Sequence, residues 1–181
     1  FDERFNTTGR SIGLINNPQT VSKVPIATRT SLERAVKHIG KIMNTNEDII
    51  FIYLTSHGSE DYKLSVSFWP LELNDITPAE IKRIINEAGI KWKVIAISAC
   101  YSGGFIDTLK DESTVVMTAS DAKNSSFGCS NDSDFTYFGK SYFDDTLRKT
   151  YSFIDHFDEV KNTIHKRELD ESKKPSNPQI Y

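Results

Sequence analysis

Apolar residues recur along this chain in two rhythms, and their alternation predicts an α/β fold. Two runs, Ile49 to Leu54 and Val94 to Ala99, are almost entirely apolar, rich in β-branched residues and followed by Ser and Gly. Runs of that length read as parallel strands buried on both faces. Helical stripes lie between them. Leu32, Ala35, Val36, Ile39, Ile42 and Met43 follow a capping box at Thr30-Ser31-Leu32-Glu33. Ile81, Ile84, Ile85 and Ala88 follow a second box, Thr77-Pro78-Ala79-Glu80, and stop at Gly89. A third apolar run, Thr114 to Ala119, comes after Gly103-Gly104 and a brief helix expected at Phe105 to Leu109.

The flanks are less regular. Phe1 to Thr8 reads as the end of a helix halted near Gly9, and Ser11 to Ile15 as a short strand stopped by Asn16-Asn17-Pro18. Tyr62 to Phe68 alternates with period two and predicts a small hairpin. Ser120 to Asp134 is a polar loop beyond a strand's carboxyl end, long enough to wall a pocket. Helices are expected at Gly139 to Leu147 and Ser152 to Leu169. The tail from Asp170 to Tyr181, with Pro175 and Pro178, is expected to be irregular.

At 181 residues the chain reads as a single domain spanning 1–181. The absence of Met, basic n-region or apolar h-region at Phe1 suggests that an upstream part is missing, and it leaves localisation open. The net charge of −3 comes without a basic stripe interleaved with aromatics, which argues against nucleic-acid partners. No apolar stretch approaches the roughly 20 residues of a bilayer helix, so no membrane contact is expected of the visible chain. Two cysteines cannot build a disulfide framework, and no Cys or His spacing suggests a metal site. Walker A, G-x-G-x-x-G and G-x-S-x-G signatures are missing too, so no cofactor is expected and a serine-hydrolase elbow is excluded.

His57 and Cys100 stand just past the two buried runs, in Thr55-Ser56-His57-Gly58-Ser59 and Ser98-Ala99-Cys100-Tyr101-Ser102-Gly103-Gly104. Open α/β sheets build their sites at the carboxyl ends of such strands. Taken alone, a strand-end Cys is more often a small buried hydrophobe and a lone His a structural group. Delivered together to one rim, an imidazole can hold the thiol as a nucleophilic thiolate for acyl transfer. The N–H groups of Gly58 and Cys100 can then receive an oxyanion, and Gly103 and Gly104 would let substrate approach closely. Cys129, in a polar loop, reads as a spare thiol, and His38, His156 and His165 are assigned nothing.

These residues resemble the legumain-like cysteine peptidases, peptidase family C13. The likeness rests on Phe51-Ile52-Tyr53-Leu54-Thr55-Ser56-His57-Gly58-Ser59 and Ser98-Ala99-Cys100-Tyr101-Ser102-Gly103. It continues in order through Thr118-Ala119-Ser120, Ser125-Ser126-Phe127-Gly128-Cys129 and Thr136-Tyr137-Phe138-Gly139. Arg4-Phe5-Asn6-Thr7 and Ser176-Asn177-Pro178-Gln179-Ile180 look most like bacterial members. The resemblance implies a caspase-like three-layer α/β/α sandwich with a mostly parallel sheet, here expected to lack its first strand. It implies that Cys100 is the nucleophile, His57 the general base and acid, and Gly58 with Cys100 the oxyanion hole.

By the same resemblance Ser125 and Ser126 line the pocket for the residue before the scissile bond. Three acidic positions of the family are replaced, by Ser98, Lys140 and Ser56. Loss of carboxylates and gain of an ammonium predict an acidic or small polar side chain in that pocket rather than asparagine, and Ser56 favours hydrolysis over ligation. The expected function is a cysteine endopeptidase acting on peptide or protein substrates through a thioester acyl-enzyme. A transamidase of the same family and a catalytically silent peptide-binding module are the alternatives.

Overall fold

The computed structural model describes residues 1–130 and 133–181, so Asn131 and Asp132 of the expected loop lie outside the described residues. The three apolar runs become parallel strands β1 (Ile49–Thr55), β2 (Trp92–Ser98) and β3 (Thr114–Thr118), adjacent in that order. A fourth strand, β4 (Gln179–Ile180), pairs antiparallel with β3. The tail is therefore not irregular throughout. Beyond Pro178 the chain finds the free edge of β3, where Tyr181 and Val116 exchange N–H···O bonds of 2.9 and 3.1 Å.

Helical segments cover both faces. They are α1 (Asp2–Phe5), α2 (Arg29–Ile42), α3 (Pro78–Glu87), α4 (Ile106–Leu109) after a 3-10 turn at Ser102–Phe105, α5 (Tyr137–Gly139) and α6 (Phe157–Asp170). A π-helical stretch, Lys140–Thr146, continues α5. Side chains alternate across the sheet because successive strand residues point to opposite faces. Ile95, Ile97 and Val116 pack on one side with Val36 of α2 and Ile81, Ile84 and Ile85 of α3. Val94, Ala96 and Met117 pack on the other with Phe138, Tyr142, Val160 and Ile164. The result is the expected three-layer α/β/α sandwich, with β2 buried along almost its whole length.

Local departures have local causes. The α2 cap is Thr28 rather than Thr30: Thr28 Oγ1 accepts from Ser31 N at 3.1 Å, while Glu33 reaches Arg83 on α3 at 3.2 Å. The second box forms as read, with Thr77 Oγ1 accepting from Glu80 N and the Glu80 carboxylate accepting from Thr77 N at 2.9 Å. The last long helix starts at Phe157 instead of Ser152, since His156 is left-handed at φ 64°. The hairpin at Tyr62 to Phe68 reduces to isolated bridges, Gly58 with Leu64 and Leu64 with Ile76. Ser11 to Ile15 forms no strand; Ile15 N bonds to Pro25 O at 2.9 Å, and Ile12 and Ile15 stay exposed.

Among the described residues β1 pairs only with β2, so its other edge is open. That edge floors a groove of about 2130 Å³ walled by α1, the 9–15 segment and the end of α2. The groove runs along β1 to the strand's carboxyl end.

Candidate active site

Strand pairing brings His57 and Cys100 together. Thr55 faces Ser98 in the β1–β2 register, and Ser56 N donates to Ser98 O at 3.3 Å, so the next residues leave adjacent strand ends. Gly58 then lies against the Cys100 backbone: a Cβ at position 58 would stand 2.1 Å from the Cys100 carbonyl oxygen. No side chain larger than hydrogen fits there. Both His57 and Cys100 line the groove's upper end, with Ser56, Ser98, Ser126 and Thr136 around them. His57 is exposed and Cys100 half-buried.

The thiol is hydrogen-bonded to Ser126. Cys100 Sγ accepts from Ser126 N at 3.3 Å, lies 3.8 Å from Ser126 Oγ, and can donate to Ser126 O at 3.6 Å. Tyr101, immediately after the thiol, is held left-handed at φ 56°, a conformation costing on the order of 1–3 kcal/mol for a non-glycine residue. Its N–H is fixed by Asn124 O at 2.9 Å and its hydroxyl donates to Glu60 at 3.2 Å. This turn starts the 3-10 segment and leaves Sγ at the strand's mouth. Among the described residues the N–H groups of Gly58 and Cys100 donate to no protein acceptor.

Other sequence expectations shift. Gly103 and Gly104 do not clear a path for substrate: a Cβ at 103 would stand 2.6 Å from the Asp121 backbone, and one at 104 would stand 2.2 Å from the Tyr62 ring. Their smallness serves packing. Ser98 is buried and its hydroxyl shares a 2.9 Å hydrogen bond with Thr136 Oγ1, which also accepts from Gly139 N at 2.9 Å. Thr136 thus belongs to the cleft although the sequence reading gave it no role; its signal was an N-cap Thr three residues before a glycine. Ser125 sits beside Ser126 without lining the cleft.

Lys140 does not line the cleft, although its partner Asp144 does. Its ammonium is paired with Asp144 and, at 2.8 Å, with Asp145; these carboxylates raise it above the usual lysine range. Asp144 is itself shared with Arg148 at 2.7 Å. Among the described residues no group of three or more His, Cys, Asp or Glu side chains is placed to hold a metal ion, and no helix is long and apolar enough to cross a membrane.

The arrangement is a thiol and an imidazole on neighbouring strand ends, with the hydroxyls of Ser98, Ser126 and Thr136 in the same cleft and, among the described residues, two backbone donors that no protein acceptor uses. Comparison with known proteins bears on it. The sequence model described as Peptidase C13 family matches residues 26–181. No curated protein sequence matches the chain. Among solved structures the fold is similar to caspase-1 from Spodoptera frugiperda, with 13% identity over 87% of this chain and 68% of that one, at a TM-score of 0.59.

Proposed function

We propose, for a chain that belongs to the peptidase C13 family, that it is a cysteine endopeptidase hydrolysing peptide bonds with His57 and Cys100. The observation that carries the reading is the close seating of Gly58 on the Cys100 carbonyl, which holds the two strand ends together. His57 takes the Cys100 proton as Sγ attacks the scissile carbonyl, and the S–C bond forms. The N–H groups of Gly58 and Cys100 receive the oxyanion. His57 then protonates the leaving amine as the C–N bond breaks, leaving a thioester. Water, deprotonated by the same imidazole, attacks that thioester and releases the acid and the free thiol. Exposure of His57 leaves its ring room to serve both leaving group and water.

For the side chain before the scissile bond, charge no longer recommends an acidic group. The Lys140 ammonium is already matched by Asp144, which lines the groove, and by Asp145, so it offers no unpaired charge to a substrate carboxylate. The hydroxyls of Ser98, Ser126 and Thr136 beside the thiol favour a neutral, hydrogen-bonding side chain. Lys140→Met is expected to leave the ratio of kcat/KM for acidic and neutral peptides within about threefold, because exposed, already paired charges contribute little. A larger change would restore Lys140 to the pocket.

The test of the activity is an unbiased peptide library digested with the chain and read by mass spectrometry. Cleavage by the wild type that disappears in Cys100→Ala and His57→Ala is the expected result. Cleavage that persists in Cys100→Ala would overturn the assignment.

A further inference from the structure

We propose that Ser126 is a second anchor of the nucleophile, its peptide N–H stabilising the Cys100 thiolate independently of His57. The inference rests on Cys100 being the nucleophile and goes beyond the dyad, which leaves Ser126 only a pocket wall.

The geometry is specific to one peptide unit. Ser126 N stands 3.3 Å from Sγ with its N–H directed at the sulfur, while Ser126 O stands 3.6 Å away where it can take the S–H. The thiol form therefore donates to the carbonyl, and the thiolate, once the proton has passed to His57, keeps the N–H. The hydroxyl, at 3.8 Å, is a weaker third contact. A backbone donor aimed in advance at a developing charge stabilises it without reorganisation when the reaction starts. Hydrogen bonding to the charged form favours that form.

That N–H is also fixed in place. Two residues earlier, Asn124 O accepts from Tyr101 N at 2.9 Å, next to the nucleophile itself. One residue later, Phe127 O accepts from Tyr137 N at 3.0 Å, at the start of α5. Asn124 Nδ2 is held by Asp121 at 2.7 Å, and Asp121 N donates to Ser176 O at 2.8 Å. The segment is stapled on both sides of Ser126, so the donor cannot swing away from sulfur without breaking pairs that also shape the cleft. His57, by contrast, is exposed, and no hydrogen bond of its ring is seen among the described residues.

The experiment follows Cys100 alkylation by iodoacetamide across a pH series in a Cys129→Ser background, so that one thiol is read. An amide-to-ester replacement at residue 126 removes the N–H and little else; Ser126→Ala removes only the hydroxyl, and Ser126→Pro is a genetic stand-in for the ester. The ester is expected to slow alkylation near neutral pH by about tenfold, the size of a charge-assisted hydrogen bond, in both the His57 and the His57→Ala proteins. Ser126→Ala should change it by under about threefold. A folded ester variant, judged by circular dichroism, that alkylates within about twofold of its parent would overturn the proposal. The peptidase reading fails separately: loss of library cleavage in Cys100→Ala alongside an indifferent ester would sink only the anchor. An ester effect without any cleavage would sink only the peptidase.

Discussion

A methyl group on residue 58 would collide with the Cys100 carbonyl oxygen at 2.1 Å, and a carbonyl in the backbone cannot rotate aside as a side chain can. Gly58→Ala must therefore part the two strand ends. Misplacement of about 1 Å in a catalytic constellation costs on the order of a hundredfold in rate. The expected outcome is a loss of kcat/KM of about that size with far-UV dichroism unchanged. Full activity in Gly58→Ala would mean that His57 and Cys100 do not act as a pair. At this scale the sequence was legible in strand position, which puts His57, Gly58 and Cys100 just past the ends of two paired strands. It was not legible where the partner is remote in sequence: Ser98 meets Thr136 across 38 residues and Sγ meets Ser126 across 26. Lys140 is a different case. The sequence presents it as an added charge, whereas its neutralising partners Asp144 and Asp145, four and five residues on, lie in a π-helical turn whose phase a 3.6-residue pattern does not describe.

Among the helices, the start of α3 shows what a complete cap does. The Glu80 carboxyl is held down at about 2, chiefly by the Thr77 N–H and then by the Arg29 guanidinium. A carboxylate lowered on folding contributes stability above its unfolded value near about 4.3, and the contribution disappears as pH falls toward the folded value. The stability difference between wild type and Glu80→Gln, from urea midpoints, should thus be largest above about pH 5 and shrink toward pH 2. A difference independent of pH would show that the Glu80 charge does not matter there. The two capping boxes teach opposite lessons about legibility. Thr77 and Glu80 sit beside Pro78, which fixes the first helical turn, and the box forms. Thr30 has Thr28 two residues before it, and Glu33 finds Arg83 on the neighbouring helix; tertiary contact, invisible in the local pattern, chose between them. Ser11 to Ile15 has a strand's composition, yet strands are stabilised by partners, and none stands beside it among the described residues.

Across the whole molecule, Asp121 joins the site to the far end of the chain. Its carboxylate accepts from Asn177 Nδ2 at 2.9 Å, Lys123 N at 2.7 Å and Asn124 Nδ2 at 2.7 Å; burial opposes the charge, but these bonds hold its carboxyl below the usual range. Ser176, next to Asn177, is buried with its N–H on the Glu168 carboxylate at 3.1 Å. Asp121→Ala should loosen both segments at once. Hydrogen exchange is expected to quicken in residues 122–127 and in 176–181 together, with peptidase activity falling; protection lost in the tail alone would separate the two. The three-layer arrangement itself was legible because each buried run and each helical stripe carries its own period. The β4 pairing was not, since a two-residue strand leaves no periodic signal.

The open side of β1 has a further consequence, for how the chain behaves in a crowded solution. Unpaired strand edges template other strands, and natural sheets guard them with charges, prolines or bulges. Here the edge lies beside exposed Ile42 and Ile49, with no lysine between Ile49 and Thr55 to act as gatekeeper. Self-association of the chain in this form should rise with concentration and begin along that strand. Ile49→Lys is expected to raise the concentration at which light scattering sets in without altering the unfolding free energy by more than about 0.5 kcal/mol, and an unchanged onset would place the sticky surface elsewhere. A groove that opens a path to the thiol is, by the same geometry, a strand edge left without a guard against aggregation.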